Sequence, residues 1–166
     1  MRITMICDAS YCDRHRVAGY GFWIASQRGK LGGAGNIVDE VENNNTAEMM
    51  AICNAIWKGI EAALIQRSDQ LLIQSDCLSA MDKMKGLQKA VTAQERSVLA
   101  YYLRTVQENG LHVTFRHVRG HTSIDEPRYA ANRLCDRTAK AQMRLARSKK
   151  IAAKITNELQ GVPNAV

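Results

Sequence analysis

From Arg2 to Asp8 the chain alternates, with Ile3, Met5 and Cys7 on one side and Arg2, Thr4, Ile6 and Asp8 on the other. A period of two predicts a strand. Ala18 to Ser26 holds Tyr20, Phe22, Trp23 and Ile24, side chains that favour strands. The polar stretch from Tyr11 to Arg16 reads as a hairpin loop between them, and Lys30 to Val38 as a third, glycine-rich and weaker strand. Short links predict an antiparallel meander. The period then changes. After the capping side chains of Asn43, Asn44, Asn45 and Thr46, apolar residues Met49, Ile52, Cys53, Ile56, Ile60 and Ala63 recur at helical spacing, to an end near Gln66. Leu71-Leu72-Ile73 is a short strand leading to Asp76, and a short helix through Met81 and Met84 stops near Gly86. Thr92 to Gln107 is a helix, Leu111 to Val118 a strand, and a last long helix starts near Pro127. Strands linked by helices usually run parallel with right-handed crossovers. The order predicts an α/β fold: a mixed five-stranded sheet, three antiparallel strands then two parallel, flanked by helices.

Composition narrows this picture. A chain of 166 residues fits one domain and needs no disulfide or structural metal to fold. Cys7, Cys12, Cys53, Cys77 and Cys135 are odd in number and show no CxxC spacing, which argues against a disulfide framework or a zinc site. No apolar run approaches the ~20 residues of a membrane span, and the N-terminus lacks the parts of a signal peptide. The expectations are a cytoplasmic address, no membrane partner and, by default, a monomer. The net charge of +7 makes nucleic acid the leading candidate partner over the plain reading of a basic soluble protein.

The candidate chemistry lies in four acids. Asp8 ends the first strand, Glu48 lies in the first turn of the first helix, Asp76 ends the fourth strand and Asp136 lies on the last helix. Singly, each has an ordinary role: a turn residue, a charge favoured by a helix N-terminus, a helix cap, a solvated helix residue. Jointly, they converge if strands one and four are neighbours. Clustered carboxylates stay ionised only beside cations, and hard oxygen donors suit Mg²⁺ or Mn²⁺. Two such ions a few ångströms apart support phosphoryl transfer, one activating water and the other the leaving oxygen.

The segments Cys7-Asp8-Ala9-Ser10, Gly19-Tyr20-Gly21, Asn44-Asn45-Thr46-Ala47-Glu48, Gln74-Ser75-Asp76, Val118-Arg119-Gly120-His121 and Asn132-Arg133-Leu134-Cys135-Asp136 resemble the type 1 ribonuclease H family, in its order and near its spacing. The resemblance covers roughly residues 2 to 142. It implies a ribonuclease H-like sheet and a two-metal-ion endoribonuclease that cuts the RNA strand of RNA–DNA hybrids, leaving 5′-phosphate and 3′-hydroxyl ends. It implies that Asp8, Glu48, Asp76 and Asp136 are the metal-binding carboxylates, with two Mg²⁺ ions or Mn²⁺ as substitute. His121 matches the family's mobile loop histidine, tied to proton transfer or product release. His15, His112 and His117 have no such match and read as structural or solvent-facing. Asn44 and Asn45 match positions that contact the hybrid's minor groove; an amide both donates to and accepts from a 2′-hydroxyl. Helix capping is the alternative for both. Cys12 sits near the family's substrate-contacting loop, a loose match.

Two departures stand out. Cys77-Leu78 follows Asp76 where some bacterial relatives have Ser-Gln, whose glutamine contacts the hybrid. The region of the family's Trp- and Lys-rich basic handle keeps Lys83, Lys85 and Lys89, but no tryptophan lies between Gly59 and Val166. A substitute is visible in Arg137, Lys140, Arg144, Arg147, Lys149, Lys150 and Lys154, a stretch with no acid. It is either a phosphate-binding helix or tail or a solvated helix face. The expected division is a nuclease domain over 1–148 and a basic extension over 149–166, partly helical or loose. Two other functions remain open: a DNA-directed nuclease of the same superfamily, such as a resolvase or exonuclease, and a catalytically silent hybrid-binding module.

Overall fold

The computed structural model of the protein describes residues 1–119 and 126–160, the last three by their backbone alone. Strands β1 (Arg2–Cys12), β2 (Val17–Ser26) and β3 (Gly29–Asn36) form the antiparallel meander. Helix α1 (Asn44–Glu61) leads to β4 (Gln70–Ser75). Then come α2 (Leu78–Met84), α3 (Ala93–Glu108), β5 (His112–His117) and α4 (Pro127–Gln160). The sheet order is β3-β2-β1-β4-β5, with β4 parallel to both β1 and β5. This is the mixed five-stranded sheet that the period changes predict.

The boundaries differ in instructive places. β1 runs four residues past Asp8, because Ala9 to Cys12 pair with Tyr20 to Val17. Tyr11 and Cys12 therefore belong to the ladder and not to a loop. The turn is a single 3₁₀ segment, Asp13–His15, closed by Arg16 in the left-handed region at φ 50°. Helix α1 stops at Glu61, short of Gln66, because Ala63 takes φ 55°. The N–H groups of Leu64 and Ile65 then turn back onto the carbonyl of Gly59, at 2.9 and 3.0 Å. Both side chains stay buried, so apolar spacing persists after the helix has ended. β3 ends at Asn36, and Val38 is almost fully exposed.

Helix α1 packs on one face of the sheet, and α4 on the other face over β1, β2 and β3. On one face, Gly59 of α1 lies close against Ile24. Gly21, three residues away on β2, faces the opposite side, where a β-carbon would overlap Thr138 and Cys135 of α4. Gly19 meets α4 in the same way, at Ala139, Gln142 and Met143. These two glycines let the helix backbone approach the sheet closely. The Ile6–Asp8 part of that side of β1 is therefore buried: Ile6 is 3% exposed and its carbonyl accepts from the Cys135 thiol at 3.6 Å.

Candidate active site

Parallel pairing of β1 with β4 sets the geometry. Arg2 to Ile6 lie in register with Gln70 to Gln74, so Asp8 and Asp76, each two residues further on, leave the ladder side by side. Helix α1 packs against β1 and brings Glu48 to the same place. One carboxylate oxygen each from Asp8, Glu48 and Asp76 lies within 4.8 Å of the others. Asp8 and Glu48 are each 5% exposed. Three separate elements deliver three acids, which no local structural need explains.

The ordinary roles do not hold. Asn43, not Glu48, starts α1: its side chain accepts from the Thr46 N–H at 2.9 Å. Glu48 is the fifth helical residue, past the first turn. Asp76 does not cap α2, whose N-cap is Cys77 without a side-chain bond. Asn44 and Asn45 are the first two residues of α1 and not its cap. Asn44 is exposed, and the Oδ1 of Asn45 accepts from the Cys77 thiol at 3.7 Å.

Burial pushes the Asp8 carboxyl up to about 7, and the charges of Asp76 and Asp136 add to the rise. Glu48 is also held well above the usual carboxylate range, first by burial and then by Asp8 and Asp76. Like charges held together out of water disfavour ionisation. A set made only of carboxylate oxygens is the donor chemistry that a hard divalent cation prefers, and such a cation would remove the repulsion. The residues therefore fit a metal of the Mg²⁺ type. Asp136 stands outside the tight trio. It acts on Asp8 electrostatically, and both of its oxygens lie 2.8 Å from the ammonium of Lys140, one helical turn on.

The other expected residues separate. His121 lies outside the described residues. Cys12 is half-buried at the end of β1, beyond the ladder position of Asp8. His117, which sequence reasoning set aside, is exposed yet touches the site: its Nε2 lies 3.2 Å from the Asp76 carbonyl oxygen. The signal was the parallel register, which pairs His117 with Ser75. In the handle region Lys83 is buried and paired with Glu95, and Lys85 is paired with Asp82 at 2.6 Å. Two of the three lysines there are already engaged within the protein.

The RNase H family model matches residues 1–144. None of the curated proteins is similar enough in sequence to match the chain. Among solved structures, the N-terminal RNase H domain of a Mycobacterium tuberculosis protein, fused to maltose-binding protein, is 15% identical with a TM-score of 0.69, over 89% of this chain and 97% of that one. The RNase H1 of the halophilic archaeon Halobacterium salinarum is 16% identical with a TM-score of 0.64, over 86% and 97%. LC11-RNase H1, isolated from compost by a metagenomic approach and solved in complex with an RNA/DNA hybrid, is 16% identical with a TM-score of 0.68, over 87% and 98%. At such identities the structures speak for the fold, and the family match speaks for descent: the chain belongs to the RNase H family.

Proposed function

We propose that this protein is an endoribonuclease that hydrolyses the RNA strand of RNA–DNA hybrids, leaving 5′-phosphate and 3′-hydroxyl ends. The observation that carries the reading is the trio Asp8, Glu48 and Asp76, drawn from three elements to within 4.8 Å in a chain of this family. A solved neighbour holding an RNA/DNA hybrid supports the choice of substrate.

Asp8, Glu48, Asp76 and Asp136 would hold two Mg²⁺ ions, with Mn²⁺ as substitute. When bound, such ions supply an activated water and charge stabilisation at the departing oxygen. The chain's own contribution is placement. Asp8 sits on β1 and Asp76 directly follows its parallel partner β4, so the pairing of the two strands sets their separation. Helix α4 carries Asp136 on a backbone pressed against β2 at Gly19 and Gly21, and Lys140 orients that carboxylate. The Cys77 thiol donates to the Asn45 oxygen, and the amide N–H groups of Asn45 are assigned to an acceptor such as a ribose 2′-hydroxyl. Asn44 and Cys12 are assigned to the same hybrid contact, and His121 to proton transfer or product release. We also assign a monomer acting in the cytoplasm, with residues 1–148 as the nuclease unit and 149–166 as a basic extension.

The test is cleavage of end-labelled hybrid, DNA duplex and RNA duplex, in Mg²⁺ and in EDTA, with wild type and Asp8→Asn. RNA-strand cleavage confined to hybrid, dependent on Mg²⁺ and lost in Asp8→Asn, is the expected result. Equal cleavage of DNA duplex would point to a DNA-directed nuclease, and hybrid binding without any cleavage to a silent binding module; either would sink the proposal.

A further inference from the structure

A groove of about 960 Å³ opens between the 3₁₀ turn after β1 and the distal half of α4. Arg14, His15 and Arg16 line one wall, Lys150 and Lys154 the other, and Ile151 and Ile155 lie along the helix between them. Among the described residues that line it, none is acidic. The walls are fixed. The Arg16 N–H donates to the Asp13 carbonyl at 3.1 Å, and the Arg16 carbonyl accepts from the Val41 N–H at 3.0 Å. Lys150 is tied to Glu40, in the link before α1. Arg14, Arg16, Lys150 and Lys154 thus share one concave surface, on which Glu40 offsets the charge of Lys150.

The groove lies on the path that leads away from the carboxylates. Helix α4 carries both Asp136 and the basic wall. Lys150 is 14 residues beyond Asp136 and Lys154 is 18 beyond, or about 21 and 27 Å along the helix at ~1.5 Å per residue. At ~3.4 Å per nucleotide step this is roughly six to eight base pairs. We infer that the groove binds the sugar–phosphate backbone of the nucleic acid about six to eight base pairs from the cutting site. It would supply the grip that the short α2–α3 link lacks. Phosphates would face the Arg14, Arg16 and Lys154 side chains, and the apolar edges of the sugars would lie on Ile151 and Ile155. The inference rests on the proposed function for the identity of the nucleic acid, but is read out by binding alone.

The experiment compares wild type with Arg14→Gln/Lys154→Gln. The control is Lys30→Gln/Arg67→Gln, an equal loss of charge at exposed positions by the opposite end of the sheet. Affinity is measured by fluorescence anisotropy in Ca²⁺ for RNA–DNA hybrids of 24 and 6 base pairs, from 50 to 200 mM salt. For the long hybrid, the groove variant should bind roughly tenfold more weakly at 50 mM salt. Its log–log salt slope should be flatter by about two, one per lost phosphate contact. The control should match wild type, and the groove variant should match wild type on the short hybrid, which ends before the groove. Circular dichroism melting checks that both variants are folded. A groove variant with wild-type affinity and salt slope on the long hybrid would overturn the inference. So would an equal loss in the control, or concentration-dependent dimers dissolved by Ile155→Asp. Failure of the proposed function instead shows as wild-type protein that leaves hybrid RNA uncut, a separate readout.

Discussion

The ammonium of Lys140 lies 2.8 Å from both carboxylate oxygens of Asp136, and its charge also counters the rise in the Asp8 pKa. Lysine thus holds the place of a counter-ion beside the acidic cluster. A divalent ion at Asp136 has to share that carboxylate with it or displace it. Lys140→Gln should lower the Mg²⁺ concentration for half-maximal cleavage by about fivefold, the worth of ~1 kcal/mol for a partly exposed pair. An unchanged or raised metal requirement would show that the lysine does not compete.

Acidity gives a second prediction. Asp8, ordinarily near 3.8, is pushed up to about 7 by burial and by its acidic neighbours. A raised acid means that the folded chain binds more protons than the unfolded one. Stability in EDTA should therefore fall as pH rises from about 4 to about 7, by on the order of 2 to 4 kcal/mol, and then level off. Asp8→Asn should flatten this fall. At pH 8, Mg²⁺ at a hundredfold its Kd should restore ~2.7 kcal/mol, about 5 to 10 °C in Tm for a domain of this size. Scanning calorimetry from pH 4 to 8 decides it; a metal-free Tm that rises over this range contradicts the assignment.

Gly21→Ala tests the seating of α4. The added β-carbon would overlap Thr138 and the Cys135 backbone, so the helix must move away from the sheet and carry Asp136 with it. The expected cost is about 1 to 3 kcal/mol of stability, with cleavage falling at least tenfold (~1.4 kcal/mol of barrier). Urea melts and single-turnover rates read the two effects separately. Full activity in a destabilised variant would mean that Asp136 tolerates displacement.

The buried pair Lys83–Glu95 joins α2 to α3. Burial raises the Glu95 pKa, but the Lys83 ammonium and the Val91 N–H outweigh it and hold the carboxyl below its ordinary value. A lowered acid contributes stability above its unfolded pKa, near 4.5, and loses it as pH falls through the folded value. Lys83→Met should cost about 3 to 5 kcal/mol at pH 7, and the gap to wild type should narrow toward pH 3. A loss under about 1 kcal/mol in urea melts at pH 7 would show the pair to be replaceable.

The strands and helices were legible because burial imposes a period on each, 2.0 or 3.6 residues. Asp76 was legible because it follows a strand end that the pattern shows; Asp8 was legible as an acid on the neighbouring strand, although β1 runs on past it to Cys12. Where α1 ends was hidden: Leu64 and Ile65 are as buried after the helix as they would be within it. The bond from Cys77 to Asn45 and the approach of His117 to Asp76 were hidden for another reason. Both join residues more than 30 positions apart, and no periodicity reports which distant side chains meet. The basic stretch of α4 was legible as charge alone. The pair Asp136–Lys140 follows from helical spacing, but only the fold shows Lys150 paired with Glu40 and Lys154 across the groove from Arg14.

The distribution of thiols has a practical consequence. Cys7 adjoins Asp8, Cys53 shares α1 with Glu48, and Cys135 adjoins Asp136; all three are buried. Burial pushes Cys53 and Cys135 up to about 12 and Cys7 well above its usual value, so none forms a reactive thiolate while its element stays closed. Each strand or helix that presents one of these three carboxylates therefore carries its own chemical clock. The rate at which an alkylating reagent labels each cysteine times the opening of that element, so the motions of the catalytic framework are readable by mass spectrometry without an introduced probe.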